Sequence, residues 1–411
     1  MPSVAWLVET PPHDLEAFMT TAQAWIRDHA QSLNDKRPVY AAAKDAVIVA
    51  IGENTRESAE IDRHRIDLTK NLVEAAGFRI IVIPDSANVA ERMDEYVLGK
   101  RSDLHDVVLS GWLPNRTEAT ADLLQWARGF NEQQVESPVR IIGNGPRQIE
   151  PPDYDQIAAY ADQVDPAAAR RIREHYDVIR TAHEVNEHIQ THQGIHPGRP
   201  FAELAHEALD LVRGLPDGES KAATLALAEA TRDFHGNSFA AKPDLGELSQ
   251  GIADRIVTAH EETGQKVIYF DGFALTGVMS NVDVAVNAGN PFATPGHLLR
   301  ERYGNAYVSV LLAFGHGTIR DGLVIPEPSE GYVERALADS GAGEVLLPFR
   351  DSGGEWPDTA SRLRIIAGVY DPDEDDKHGI DLPSLRQSAD FLGSIEVISQ
   401  TRPFAIARPL A

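Results

Sequence analysis

Apolar residues recur along this chain in two rhythms, and the change between them divides it. Val47-Ile48-Val49-Ala50-Ile51 is an unbroken apolar run, short enough for a strand and uniform enough to predict burial on both faces. It stops at Gly52, and the polar stretch Glu53 to Ser58 leads into a helical spacing near Ile61. Ile66, Leu68, Leu72 and Val73 give that helix a partly apolar face, and Gly77 is placed to cap its end. Arg79–Ile83 follows as a second buried strand, so the unit predicts a right-handed strand–helix–strand crossover in a parallel sheet. Further strand runs occur at Val139–Ile142, Val267–Phe270, Val308–Phe314 and Ser394–Ser399, with a helix over Leu248–Glu262. Residues 1–45 read as helical, with Phe18, Trp25 and Ile26 at helical spacing and Trp6 and Trp25 as core anchors.

Residues 151–240 have a different texture: long helical windows rich in Ala, Glu and His, and no strand run before Val267. Pro151-Pro152 and the 236–243 segment bracket this stretch. The pattern predicts two halves of an α/β core, 1–150 and 241–411, with a helical subdomain over 151–240 covering a cleft. The subdomain carries His183, His188, His192 and His196. The last three are four apart, the spacing of two-histidine metal sites on one helix face. Gly194 and Pro197 fray that helix and no acidic ligand falls in register, so no metal site is expected.

Composition narrows the function classes. With 411 residues, 42% hydrophobic and 25% charged, the chain is ordinary for a globular protein. No window nears the roughly 18 uninterrupted apolar residues of a membrane span. The first residues lack a basic region ahead of an apolar core, so a cytoplasmic protein is expected. There is no cysteine, which excludes disulfides and thiolate chemistry. A formal charge of −25 opposes nucleic acid and anionic membranes as partners and suits a neutral or cationic small molecule. No glycine-rich nucleotide fingerprint is present, and no cofactor is expected.

Candidate chemistry gathers where strands end, because open α/β sheets place ligand groups at strand carboxyl ends. Glu53, Arg56 and Glu60 lie at the end of the Val47–Ile51 run, Asp85 follows Ile83, and Asp271 follows Phe270. Each has a plain alternative as a turn or helix-starting residue.

The stretch Gly52-Glu53-Asn54-Thr55-Arg56-Glu57-Ser58-Ala59-Glu60-Ile61 resembles the signature G-E-A-T-H-G-T-R-E-F of the erythromycin esterase family, matching at Gly52, Glu53, Thr55 and Glu60. The resemblance continues in LVEAAGFRIIVI, in Asp94-Glu95-Tyr96-Val97-Leu98, in Trp112 to Glu118 and in LLQWARGFN. It resumes in Gly296 to Gly304, Gly315 to Thr318 and Gly368 to Pro372. The resemblance implies the family's α/β fold with an inserted helical subdomain, and macrolide lactone opening by histidines and glutamates in a deep cleft. Arg56 stands where the family has its proposed water-activating histidine, Pro84 where it has an acidic glutamate, and Asp271 and Ala274 where it has two more histidines.

A guanidinium cannot accept a proton, so hydrolysis of the family type is not expected. Glu53, Arg56, Glu60, Asp85 and Asp271 are the candidates for a remodelled acid/base site. Asn54, Leu113, Arg116, Phe273 and His316 are the candidate ligand contacts. Such a set suits cyclisation, elimination or rearrangement of a medium-sized natural product. The alternative is a non-catalytic protein that binds or sequesters a small molecule or accompanies another enzyme.

Overall fold

The computed structural model describes residues 15–183, 199–237, 244–284, 289–366 and 370–404. Trp6, His188, His192, His196, Gly368 and Val369 lie outside the described residues. The strands in chain order are β1 Gln31–Ser32, β2 Ile48–Glu53, β3 Phe78–Ser86, β4 Arg140–Gly145, β5 Lys266–Gly272 and β6 Tyr307–Thr318. They continue with β7 Val324–Ile325, β8 Val345–Pro348, β9 Ser361–Arg364, β10 Gly379–Leu382 and β11 Phe391–Ile398.

One mixed sheet runs in the order β1-β8-β11-β6-β2-β5-β3-β4, with β7 on β6, while β9 and β10 form a separate antiparallel pair. From β11 to β4 every pairing is parallel; β1, β7 and β8 join antiparallel. This is the mostly parallel α/β architecture that the apolar runs predict. The Val47–Ile51, Val267–Phe270, Arg79–Ile83 and Val139–Ile142 runs form the contiguous strands β2, β5, β3 and β4, with β4 at the sheet's outer edge.

β2 sits in the middle because every one of its residues is buried. Val49 and Ile51 pack with Ile268, Phe270 and Leu312 on one face, against Ile61, Leu68 and Leu72 of the Ala59–Ala76 helix. Ile48 and Ala50 pack with Val267, Tyr269 and Tyr307 on the other, against Ile252, Ile256 and Leu299. The Ala59–Ala76 helix starts at Ser58, whose hydroxyl accepts from the Ile61 N–H at 3.1 Å. It ends at Gly77, whose φ of 76° is the left-handed cap conformation glycine adopts freely.

Residues 146–244 form a second compact unit. Its described helices are Pro151–Val164, Pro166–Ile179, Phe201–Arg213 and Lys221–Asn237. Tyr154, Ile172, Tyr176 and Leu209 are buried in its core, and the Tyr154 hydroxyl meets Nε2 of the buried His235 at 2.8 Å. No described helix is long and apolar enough to cross a membrane.

His64 on the Ala59–Ala76 helix is buried, with Lys36 Nζ 3.3 Å from Nδ1 and Arg63 Nη2 3.4 Å from Nε2. Burial first, then these two cations, push its pKa down from 6.5 to about 4. The unfolded chain therefore binds this proton before the folded one does. The His64 contribution to stability is complete above pH 6.5 and is lost progressively as pH falls to about 4. Glu334, pushed up to about 7 by burial, acts with the opposite sign in the same range, so the difference between variants is the useful quantity. Denaturant unfolding of His64→Leu should lose less stability on acidification across this window than the parent protein does.

Candidate active site

The site forms where β2, β5 and β4 end. Gly52 lets β2 run beside the Phe273–Thr276 turn, since a Cβ there would lie 2.1 Å from Thr276 Oγ1. Past Glu53 the backbone stays anchored on both sides: Asn54 N–H donates to Leu312 O at 3.2 Å and its carbonyl accepts from Ile366 N–H at 2.8 Å.

Side chains alternate along a strand, and in parallel register Gly52 lies beside Asp271 and Glu53 beside Gly272. Glu53 therefore shares the face of Ile51 and Phe270, and Asp271 the face of Tyr269. Arg56, beyond the strand end, reaches both. Its Nε lies 3.3 Å from Glu53 Oε1, and its Nη2 donates to Asp271 Oδ1. Glu53 takes a second guanidinium from Arg65, which also donates to Asp62 at 2.6 Å. Asp271 accepts further bonds from Asn144 Nδ2 at 2.6 Å, the Tyr269 hydroxyl at 3.2 Å and its neighbour Gly272 N–H at 2.8 Å. Thr401 Oγ1 completes Asp62 at 2.6 Å. The Trp112 ring lies against the Arg56 guanidinium, 4.6 Å away.

Glu53, Asp62 and Asp271 are only 3%, 4% and 1% exposed, so their charges answer to one another rather than to water. Burial pushes all three carboxyls above the usual carboxylate range, against the pull of Arg65 on Glu53 and Asp62, and of Arg56 on Glu53 and Asp271. Burial alone would lower Arg65, but Glu53 and Asp62 outweigh it and raise its pKa. Tyr269, sealed beside Asp271, is pushed well above the ordinary tyrosine value by burial and then by that carboxylate. The turn also contains unmet polar groups. Asn54 and Thr55 are each 2% exposed, and among the described residues neither the Asn54 amide nor the Thr55 hydroxyl finds a protein partner. Unpaired buried groups cost about 1–3 kcal/mol each, the kind of strain that collects at ligand sites.

A sequence model of the erythromycin esterase family matches residues 73–392. The chain belongs to the erythromycin esterase family. Solved structures with the same fold include a Bacillus cereus protein, 19% identical over 94% of this chain and 99% of its own, with a TM-score of 0.64. A succinoglycan biosynthesis protein is 18% identical over 96% of this chain and all of its own, at 0.65. A histidine-to-asparagine mutant of the erythromycin esterase EreC, in its open conformation, is 14% identical over 91% and 96%, at 0.57.

Within this family frame, the residues singled out by sequence separate. Glu53, Arg56 and Asp271 come together. Glu60 does not join them: its carboxylate takes the Ser399 N–H at 2.7 Å and hydroxyl at 2.6 Å, fastening the helix start to the chain after β11. Burial pushes Glu60 up, but those bonds outweigh it and the net shift is downward. Asp85, raised by burial, is spent on the Trp112 N–H at 2.8 Å, Asn115 Nδ2 at 3.0 Å and the Ser86 N–H at 2.8 Å. It therefore shapes the loop that brings Trp112 to Arg56. Arg116 closes the same loop through Gly111 O at 2.7 Å. Phe273, expected at a cleft wall, is fully buried in a core cluster with Trp25, Phe349 and Leu392, because the strand-to-helix turn points it inward. His316 pairs with Glu327 at 3.0 Å, and Leu113 stands exposed next to Trp112.

Arg65, Asp62, Asn144, Tyr269 and the Trp112 stack went unread in the sequence. Arg65 had a legible signal: it shares the sheet-facing helix stripe of Ile61, Leu68 and Leu72, where a charge needs a buried partner. Among the described residues, no group of three His, Cys, Asp or Glu stands close enough to hold a metal.

Asp85→Ala removes the acceptor for the Trp112 N–H and one of the two acceptors of Asn115 Nδ2, which keeps the Pro84 carbonyl at 2.9 Å. Destabilisation of about 1–3 kcal/mol is expected in denaturant unfolding. Amide hydrogen exchange should quicken over residues 111–116.

Proposed function

We propose that this erythromycin esterase family member is a cofactor-independent enzyme that moves protons on a carbonyl-bearing natural product instead of launching water at a lactone. The observation that carries the reading is the single guanidinium of Arg56 spanning Glu53 and Asp271 at the floor of the site. A guanidinium in the place of the family's histidine excludes base catalysis there, but it is suited to holding a carbonyl oxygen on which charge develops. Glu53 takes the proton. A carboxylate has about four lone-pair positions, and the two arginines leave part of that capacity unused. Burial raises its proton affinity above that of an ordinary glutamate, against the pull of Arg65 and Arg56. Asp271, with four donors on its oxygens, acts as the group that orients Arg56 rather than as a free acid.

The step is a transfer of a proton from carbon beside the carbonyl to Glu53, with the electron pair passing to the oxygen held by Arg56. Return of the proton elsewhere, loss of a leaving group, or closure of a ring then completes a rearrangement, elimination or cyclisation. No water is consumed.

Incubation with erythromycin, followed by mass spectrometry, should show no ring-opened product one water heavier. With a small-molecule extract of the native host, the wild-type protein should convert a compound to a product of equal mass or one small molecule lighter. Glu53→Gln should abolish that conversion while the compound still binds. Conversion by the Gln variant at the wild-type rate overturns Glu53 as the base; no conversion by the wild-type protein returns the chain to the binding reading.

A further inference from the structure

Arg63, His64 and Lys36 form a line of nitrogen atoms outside the strand-end site. Lys36 precedes the Arg37–Ala43 helix and is half-buried, while His64 on the Ala59–Ala76 helix is 2% exposed. Arg63 Nη2 stands 3.4 Å from His64 Nε2, and a guanidinium only donates, so Nε2 is the acceptor of that pair. Glu344 Oε2, at 3.9 Å from the same nitrogen, is too distant to draw the ring hydrogen to it. The hydrogen of the neutral ring is therefore assigned to Nδ1, which faces Lys36 Nζ at 3.3 Å. An ammonium has no lone pair to receive that hydrogen, and an amine has one. Lys36 Nζ itself donates to Leu33 O at 2.7 Å, and no described carboxylate pairs with it. Burial is the largest influence on Lys36 and lowers its pKa. Asp67 and Glu344 pull it up and Arg63 pushes it down, and the net shift is downward. Lys36 is thus a cation in the acid range where His64 titrates, and gives up its proton ahead of ordinary lysines as pH rises.

We propose that Lys36 is held as a nucleophilic amine and is a site of acylation, its donor a small, uncharged thioester. Burial selects the reaction. The amide product is as uncharged as the amine, whereas a carbamate formed from carbon dioxide would be an anion set among Asp67 and Glu344. The half-buried position admits a small acyl group, and a chain charge of −25 opposes an anionic donor such as an acyl phosphate. In the step, rotation about Cε–Nζ turns the lone pair from His64 to the acyl carbon. The N–C bond forms, the C–S bond breaks, and the sulfur departs as a thiol with the proton that nitrogen loses. The exposed Lys44, Lys100 and Lys377 lack this setting, and Lys377 is held as a cation by Glu374 at 2.6 Å.

Brief exposure of the full chain to S-acetyl-N-acetylcysteamine between about pH 6 and 10, read lysine by lysine in peptide mass spectrometry, tests the site. Acetylation of Lys44, Lys100 and Lys377 should rise about tenfold per pH unit, because their amines stay protonated over most of this range. Lys36 should exceed each of them severalfold at about pH 7 and level off about one pH unit or more below them. Arg63 is exposed, so Arg63→Leu should fold normally. In that variant the ring of His64 is no longer held by Nε2, and Lys36 should level off at higher pH than in the parent. Acetyl phosphate, with both reagents normalised to a lysine peptide in the same tube, should label Lys36 less than the thioester does. Lys36 running parallel to the exposed lysines, or failing to react, overturns the site. An Arg63→Leu profile identical to the parent's overturns the hydrogen-bond chain behind it, and equal labelling by acetyl phosphate overturns the uncharged donor.

Discussion

Two carboxylates at the end of a parallel sheet, on opposite faces and away from water, require a cation between them. Arg56 is that cation. Strand alternation sends Glu53 to one side of the sheet and Asp271 to the other, so a group able to touch both must come from beyond the strand end. The planar fork of arginine fits this place, because two of its nitrogens point in different directions from one rigid plane. Without it Glu53 would depend on Arg65 alone, and Asp271 would be a buried charge held only by neutral donors.

Much of the surrounding structure serves this bridge. The Ala59–Ala76 helix contributes Arg65 and Asp62, and its own start is fixed by Ser58 and by Glu60 bonded to Ser399. Asp85 sets the loop that lays Trp112 over Arg56. Edge strand β4 sends Asn144 to Asp271 from the far side, and Arg255 holds the Asn144 carbonyl at 3.1 Å. Arg56 thus belongs to a connected network of charge, with Glu53, Asp271, Arg65 and Asp62 all linked through shared ion pairs.

The legible part of the fold was the part written in local pattern. An unbroken apolar run marked β2, and the glycine after Ala76 marked a helix end. The site was legible as a place, since polar residues after buried strands gather at one sheet edge. Its wiring was not. Asp271 lies 215 residues from Arg56 and Asn144 lies 127 from Asp271, and no local spacing reports such pairings. Glu60 and Asp85 look like site carboxylates in sequence, yet the backbone amides of Ser399 and Trp112 claim them. Phe273 follows Asp271 closely, but the tight turn at Gly272 rotates it into the core.

A double-mutant cycle between Arg56 and Asp271, using Arg56→Met, Asp271→Asn and the pair, measures the bridge itself. Unfolding free energies should show a coupling of about 0.5–3 kcal/mol, the range found for partners in one hydrogen-bond and salt-bridge network. Additivity within about 0.5 kcal/mol would mean that the two side chains act independently, and the account of a site built on a shared guanidinium would fail.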